Sequence, residues 1–279
     1  MRRAAAAAAV IAAALTGCAA PAPALPEGIT ASVFETRFDA ALRQLQIRIS
    51  NDSGSSFQVV AATLESDLYI GEARFERPQR VPAGSARDLP VQLGEAECDP
   101  SGDSSTIILE FESATGAPGR ASIDLGSPAI LAAAHERDCL RAAVEQVATI
   151  APPASLVWAP GSGAPAVLEF TVTPTGAGGS VSIQSVGNTT LVGIVDEAGN
   201  RATPLTIGLV IGGASPATVI RVGIEPARCD PHAIAEDKQG THFPFAVSVA
   251  NGPAGELRVP VGDDVRAEIY AFVTDYCAR

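Results

Sequence analysis

The chain has 279 residues, a formal net charge of −12 at pH 7 and a pI of about 4.7. This acidic balance argues against nucleic acids and anionic lipid surfaces as partners, and indicates a surface that keeps copies of the chain apart. Hydrophobic residues make up 47% of the chain but aromatic residues only 5%, so the core must be mainly aliphatic, and the length fits one large domain or two ordinary ones.

The N-terminal segment has the layout of a secretory signal peptide. Two arginines precede the apolar run Ala4–Leu15. The last residue of this run begins the segment Leu15-Thr16-Gly17-Cys18. These four residues match the bacterial lipobox, in which the cysteine receives a diacylglycerol. We therefore predict a signal peptide over residues 1–17 and lipidation of Cys18. A transmembrane anchor is disfavoured because the twelve apolar residues span only about 18 Å as a helix, against about 30 Å of hydrocarbon.

The next segment, residues 18–28, is rich in alanine and proline. Such a composition predicts a short extended tether between the lipid and the first folded unit. We expect the protein to lie on the extracytoplasmic face of the bacterial cell membrane, held there by acyl chains such as palmitate.

Period-two alternation of apolar residues predicts strands through the rest of the chain. The first half has predicted strands over Ile29–Phe38, Leu45–Ser50, Phe57–Leu64, Tyr69–Arg77, Asp88–Leu93, Thr106–Glu112 and Ala121–Leu125. The second half has predicted strands over Ala143–Ile150, Val167–Val172, Val181–Val186, Thr190–Val195, Leu205–Ile211, Thr218–Ile224, Phe243–Ala250 and Glu256–Val261.

Each half is expected to close with a short helix. In the first half the pair Ser127-Pro128 is typical of a cap and first turn, and predicts a helix over residues 128–138. In the second half, apolar residues recur at helical spacing from Val265 to Tyr276, and Asp263 or Asp264 is the predicted cap.

An internal repeat relates the two halves. Val91-x-Leu93-x-x-Ala96-x-Cys98-Asp99-Pro100 recurs as Val222-x-Ile224-x-x-Ala227-x-Cys229-Asp230-Pro231, with the same spacing and residue types at six positions. We infer a duplicated domain, with β-sandwich domain 1 over residues 29–141 and β-sandwich domain 2 over residues 142–279.

Cysteine usage agrees with the duplication. With Cys18 assigned to lipid, four cysteines remain and allow three pairings. The repeat favours Cys98–Cys139 and Cys229–Cys277, one disulfide in each domain. Closing loops of 41 and 48 residues contributes about 4 kcal/mol each in the chain-entropy model. A zinc site or a catalytic thiol is disfavoured, because neither pair has C-x-x-C spacing and thiols outside the cytoplasm are oxidised.

No standard catalytic or nucleotide-binding signature occurs, including G-x-S-x-G, H-E-x-x-H and G-x-x-x-x-G-K-[ST]. The best site candidate is a segment peculiar to the second half, C-D-P-H-A-I-A-E-D-K-Q-G-T-H-F-P-F. Its side chains include possible ligands of a divalent metal or a catalytic acid–base pair, namely Asp230, His232, Glu236, Asp237 and His242. Because polar loops often have this composition, we assign no catalytic residue, metal or cofactor and keep Asp230, His232 and His242 as weak metal candidates.

Three further features are interpreted as structural. The acids Glu95, Glu97, Asp99 and Asp103 offer oxygen ligands for calcium but lack the spacing of a calcium loop. His135 is expected on a solvated helix face. Trp158 is the only tryptophan and is expected to fill the core or the domain seam, with an anchor for a partner as the alternative.

The lipobox, the doubled Cys-Asp-Pro and the C-terminal segment D-D-V-R-A-E-I-Y-A-F-V-T-D-Y-C together support a family resemblance. The chain resembles uncharacterised secreted lipoproteins of high-GC Gram-positive bacteria with two tandem immunoglobulin-like domains. The resemblance spans most of the mature chain and implies a lipid-anchored protein outside the cytoplasm. It carries over no activity and no functional residues.

We expect a mainly β protein with two tandem immunoglobulin-like β-sandwiches, each closed by a short C-terminal helix and one disulfide. The leading functional hypothesis is a non-catalytic envelope protein that binds another protein or a wall component. One alternative is a metal-dependent envelope hydrolase that uses the Asp230–His242 segment. The other is a solute-binding lipoprotein of a transporter, which would need two α/β lobes.

Overall fold

The computed structural model describes residues 23–113, 116–230, 232–235, 237 and 240–278. These residues form antiparallel β-sheets that stack into two tandem immunoglobulin-like sandwiches, each closed by a helix and a disulfide, so the predicted fold class is confirmed. The predicted signal peptide, Cys18 and residues 19–22 of the predicted tether lie outside the described residues. No helix among the described residues has the length and apolar character needed to cross a membrane.

The described residues of the first sandwich form ten strands and two helices. The strands are β1 (Ile29–Phe34), β2 (Gln44–Asn51), β3 (Phe57–Ser66), β4 (Tyr69–Ile70), β5 (Ala73–Phe75), β6 (Gln79–Val81), β7 (Ser85–Gln92), β8 (Glu95–Ala96), β9 (Ser105–Glu112) and β10 (Pro118–Gly126). The helices are α1 (Asp39–Leu42) and α2 (Ala129–Val147).

Two sheets of the first sandwich enclose an aliphatic core. One sheet has the order β1-β2-β7 and the other β10-β9-β3-β5, with β6 also on β3. Along β9 the buried residues are Ile107, Leu109 and Phe111, and the residues between them face outward, as the alternation predicts. The strand predicted over Tyr69–Arg77 is wrong as a single element, because a turn at Gly71, with φ of +82°, separates β4 from β5.

Ten strands and two helices are also present in the part of the second sandwich that the structure describes. The strands are β11 (Ala148–Ala151), β12 (Leu156–Val157), β13 (Ala166–Pro174), β14 (Ser180–Val186), β15 (Val192–Val195), β16 (Arg201–Ala202), β17 (Leu205–Gly212), β18 (Thr218–Pro226), β19 (His242–Val249) and β20 (Ala254–Pro260). The helices are α3 (His232–Ala235) and α4 (Asp263–Cys277).

The strand orders of the two sandwiches correspond. The order β1-β2-β7 in the first matches β11-β13-β18 in the second, and β10-β9-β3 matches β20-β19-β14. The second sandwich extends its first sheet with β15 and β16 beyond β18. A duplicated domain would have this common order. Corresponding positions of the two sandwiches can therefore be compared directly.

Helix α2 is longer than the sequence predicts and continues past the predicted domain boundary at residues 141 and 142. The predicted strand Ala143–Ile150 is therefore wrong in its first half, since residues 143–147 are helical and β11 begins at Ala148. Ala143, Glu145 and Gln146 have high helix propensity, and the short apolar run could not distinguish the two structures.

The two halves of α2 pack into different cores. Leu131 belongs to the core of the first sandwich, whereas Leu140 and Val144 belong to that of the second. At 100° per residue, Leu131 and Leu140 point to opposite sides of the helix. The helix thus connects the two sandwiches by presenting one face to each.

The predicted helix caps are wrong. Pro128 is the N-cap of α2 and Gly262 that of α4, and neither cap has a side-chain hydrogen bond. Asp263 and Asp264 instead occupy the first turn of α4, where their negative charge is favourable at the positive end of the helix dipole.

Candidate interaction groove

The weak metal candidates of the Asp230–His242 segment do not form a cluster of ligands. His232 begins the short helix α3 and is exposed, and the Asp230 carboxylate is paired with Arg228 at 2.8 Å. His242 lies half-buried at the start of β19. In the described part of the chain these three side chains are not within mutual ligand distance, and Glu236 lies outside the described residues.

Asp237 has a structural role in the same segment. Its carboxylate accepts hydrogen bonds from the Tyr270 hydroxyl at 2.9 Å and from the Gly240 main-chain N–H at 2.5 Å, which ties the loop to α4. Burial, reinforced by the bond to Asp237, raises the pKa of Tyr270 to about 12. Burial lowers the pKa of His242, so its ring is neutral at pH 7.

The two disulfides join Cys98 to Cys139 and Cys229 to Cys277, with Cα–Cα distances of 5.5 and 5.3 Å. This is the pairing that the repeat predicts. Each bridge ties the closing helix of its sandwich, α2 or α4, to the Cys-Asp-Pro segment. Disulfides of this kind indicate an oxidising compartment outside the cytoplasm.

His135 and Trp158 are both partly buried. His135 is half-buried and contacts the Cys98–Cys139 bridge, so the expected solvated position is wrong. Trp158 packs edge-on against Phe272 at 5.7 Å, at the margin of the second core. The four acids near Cys98 do not form a group of ligands among the described residues.

A groove of about 1250 Å³ opens on the second sandwich between β17 and the first half of β18. We call it the open groove. One wall is β17, and the other is the turn at residues 196–199 that follows β15. Its aliphatic lining includes Val195, Leu205, Ile207, Leu209, Val219 and Ile220.

Two strand edges border the open groove without a strand partner. β17 is the last strand of its sheet and pairs only with β14. β18 pairs with β13 along Thr218–Ile224, but its other edge pairs with β15 only from Gly223 to Pro226. Within the described residues, no strand covers residues 218–222 on that side. Both edges therefore have main-chain N–H and C=O groups available for a further strand.

Gly223 allows β15 and β18 to approach each other closely beside the open groove. A Cβ atom at Gly223 would lie 2.7 Å from the Cγ2 atom of Val195 and 2.8 Å from its carbonyl oxygen. Because glycine has no Cβ, Val195 of β15 can lie closely beside its pairing partner Gly223 of β18 where both line the groove.

The first sandwich is closed at the corresponding place. There β5 and β6 contact β7, whereas no comparable contact joins β17 to β18 in the described part of the chain. The repeat aligns Val219 with Asp88 and Arg221 with Pro90. Charged residues and proline protect sheet edges against further pairing. In the unpaired part of β18, residues 218–222, the half-exposed Val219 stands in place of the acid and Arg221 in place of the proline.

Ionisable groups line the open groove only at its margins. Asp196 accepts hydrogen bonds from the main-chain N–H groups of Ala198 and Asn200, which lower its pKa and stabilise the turn. Arg221 forms an ion pair with Glu169 of β13 at 3.4 Å. Glu197, in the same turn as Asp196, also lines the groove.

The sequence does not indicate the open groove, although the three strands that border it, β15, β17 and β18, are all predicted. The missing information is the distance between β17 and β18, which is set by tertiary packing. One signal was present in the repeat, where Val219 and Arg221 replace Asp88 and Pro90 of the first half.

No family model and no curated protein sequence matches the chain. Among solved structures the chain is similar to red sea bream transglutaminase, with 11% identity over 86% of this chain and 32% of that chain, at a TM-score of 0.24. It is similar to the YadV chaperone, with 14% identity over 83% of this chain and 100% of that chain, at 0.25. It is also similar to the B domain of a biofilm associated protein, with 9% identity over 85% and 86% of the two chains, at 0.25.

The chain therefore spans about a third of the transglutaminase chain. At TM-scores of this size, these similarities carry no functional argument. The fold follows from the sheets themselves, and the function must be inferred from the surfaces that they present.

Proposed function

We propose that this chain is a lipid-anchored, non-catalytic interaction module of the cell envelope that binds an extended segment of a partner protein in the open groove. The observation that carries the proposal is that two unpaired sheet edges border one groove whose lining is partly aliphatic and partly polar. The lipid anchor rests on the lipobox ending at Cys18, and the compartment on the two disulfides.

An extended strand would fit both the unpaired sheet edges and the aliphatic part of the lining of the open groove. Its main chain would pair with the free edge of β18 at residues 218–222. It would thereby extend the sheet beyond Val195, where the pairing of β15 with β18 ends. Every second side chain would then point toward the aliphatic lining. In this mode of recognition, main-chain hydrogen bonds supply affinity and alternate side-chain pockets supply specificity.

A protein segment is favoured over a wall glycan because no aromatic side chain lines the open groove. Sugar-binding modules usually stack their ligands on aromatic platforms. The hydrolase alternative receives no support from the Asp230–His242 segment, since Asp237 is engaged by Tyr270 and Asp230 by Arg228.

The proposal is tested by selecting binders from a random peptide library displayed on phage. The bait is the mature chain with both disulfides intact, and Val219→Asp is the variant used for counter-selection. This substitution introduces the residue that the first sandwich carries at the corresponding position. Val157→Asp is the matched control, because Val157 and Val219 are 53% and 52% exposed and only Val219 lines the groove.

We expect enriched peptides with alternating apolar residues whose affinity falls at least tenfold with Val219→Asp and is unchanged with Val157→Asp. A proline in the centre of such a peptide should abolish binding, because it removes a main-chain donor. The proposal is wrong if the enriched peptides bind the Val219→Asp variant as tightly as the original chain, or if none is enriched.

A further inference from the structure

The two disulfides have similar exposure but different neighbours. In each bridge the first cysteine, Cys98 or Cys229, is exposed, and the second, Cys139 or Cys277, is half-buried on the closing helix. The duplication therefore provides two bridges in corresponding places of two related sandwiches. Any difference in their chemistry should come from the surrounding side chains.

The side chain one turn before the helical cysteine differs between the two sandwiches. In α2 it is His135, whose Nε2 atom lies 3.4 Å from the Cys139 Sγ atom. In α4 the corresponding residue is Val273, which is buried in the core. Among the described residues, the only group of potential ligand side chains within 4.8 Å of one another is Cys98, His135 and Cys139.

The His135 ring is held in this position by two contacts. Its Nε2 lies 2.7 Å from the Glu97 carbonyl oxygen, which can only accept, so Nε2 carries the proton. The ring also packs edge-on against Tyr69, at 5.9 Å between centroids. In the oxidised chain the single N–H at Nε2 is therefore donated to Glu97, and the Cys139 sulfur lies 3.4 Å away as a second acceptor that shares this hydrogen once it becomes a thiolate.

We propose that the Cys98–Cys139 bridge is a thiol–disulfide exchange site for a dithiol protein of the envelope, with His135 stabilising Cys139 as the leaving thiolate. The attacking thiolate forms a bond to the Cys98 sulfur, and the Cys98–Cys139 bond breaks. Its electron pair goes to the Cys139 sulfur, which accepts a hydrogen bond from His135. The product is a mixed disulfide at Cys98, and no net electron is gained or lost in this step.

The second thiol of the dithiol completes the reaction. It attacks the partner's sulfur in the mixed disulfide, which releases Cys98 as a thiolate and oxidises the dithiol partner to its own disulfide. Two electrons thus pass to this chain, and both cysteines end as thiols after protonation.

Exposure and the position of His135 select the same direction of attack. Cys98 is the exposed sulfur and is accessible to a bulky attacker, whereas Cys139 is partly covered. A leaving thiolate departs faster when a neighbouring donor or cation stabilises it. In the Cys229–Cys277 bridge Cys229 is likewise exposed, but Val273 stands where the first sandwich has His135. We therefore expect this bridge to exchange more slowly.

The test measures the reduction of each bridge in the oxidised, full-length mature chain under limiting dithiothreitol. Free thiols are trapped with iodoacetamide over time, and each cysteine is quantified by peptide mass spectrometry. A parallel reaction with glutathione, a monothiol, identifies which cysteine carries the mixed disulfide. The variants are His135→Val, which introduces the residue of the second sandwich, and His135→Gln, which retains an N–H donor toward the Glu97 carbonyl.

We expect Cys98–Cys139 to open about tenfold faster than Cys229–Cys277, with glutathione attached to Cys98. In His135→Val the two rates should become similar, and His135→Gln should recover part of the difference without changing the second bridge. Equal rates in the original chain, or attachment of glutathione mainly to Cys139, would overturn the proposal. These two results need no variant, so a His135 variant that fails to fold does not prevent the decision.

Discussion

Single residues determine how α2 is held against the first sandwich. Asp138 accepts two hydrogen bonds from the Arg43 guanidinium, both at 3.1 Å, and one from the Tyr69 hydroxyl at 3.3 Å. Arg43 also donates to the Gly94 carbonyl at 2.6 Å. One carboxylate on the helix therefore binds the segments after α1 and at β4, and Arg43 adds a contact to the segment before β8.

The Asp138 network gives a prediction about stability. Asp138→Asn should lower the free energy of unfolding by about 1–3 kcal/mol, because it leaves partly buried donors poorly satisfied. Asp88→Asn is the control, since its ion pair with Arg48 is exposed on both sides and should matter by less than about 1 kcal/mol. Urea denaturation followed by circular dichroism compares the two. A larger effect at Asp88 would contradict this assignment.

Tyr270 gives a prediction about pH. Its pKa of about 12 in the folded chain exceeds the value of about 10 expected when the chain is unfolded. The folded state therefore retains the phenolic proton more strongly, and this contribution is complete below about pH 10 and is lost as the pH rises toward 12. Tyr270→Phe has no phenolic proton and therefore lacks this pH-dependent contribution. Between pH 9 and 11 the free energy of unfolding of the variant should fall less than that of the original chain, as measured by urea midpoints. Parallel curves for the two proteins would refute the prediction.

At the scale of elements, the sequence predicted strands better than their ends and connections. Thr106–Glu112 was predictable because one face is fully buried and alternation is therefore strict, as the buried Ile107 and Leu109 show. Helix α2 was underestimated because its apolar stripe changes sides between Leu131 and Leu140, which breaks the periodicity of a single face. The position of the open groove could not be predicted, since it depends on where β17 lies relative to β18.

Helix α2 gives a prediction about cooperativity. Ala142 is exposed near the middle of the helix, and Ala142→Pro removes the main-chain bond to Asp138 and clashes with the preceding turn, at a cost of about 3 kcal/mol. Ala142→Gly is the control and should cost about 1 kcal/mol. Fluorescence of Trp158 reports the second sandwich alone, whereas far-ultraviolet circular dichroism reports both.

We expect the two signals to give the same unfolding transition in the original chain and in Ala142→Gly. In Ala142→Pro they should separate, because the interrupted helix no longer transmits unfolding from one sandwich to the other. Coincident transitions in the proline variant would show that the helix does not couple them.

At the scale of the whole molecule, the duplication gave rise to one closed sandwich and one open sandwich. The first keeps β5 and β6 against β7 and carries Asp88 and Pro90 along that edge. The second leaves β17 apart from β18, with Val219 half-exposed. The two sandwiches therefore differ at the edge that borders the open groove.

The proposed lipid anchor at Cys18 gives a prediction at the same scale. Cys18→Ala should abolish labelling by a palmitate analogue and move the protein from the membrane fraction to the medium, or leave its signal peptide uncleaved. Cell fractionation with an antibody to the mature chain measures the distribution. Persistent lipid labelling of the variant would contradict the anchor at Cys18.

The most direct test of the account places a photoreactive benzoylphenylalanine at position 219 of the protein on the cells that produce it. The matched control carries the same group at position 157, which is equally exposed and lies outside the open groove. After illumination, we expect position 219 to give a discrete adduct with one envelope protein, joined through an extended segment, and position 157 to give none. Equal adducts at both positions, or none at position 219, would contradict the claim that the open groove binds a partner.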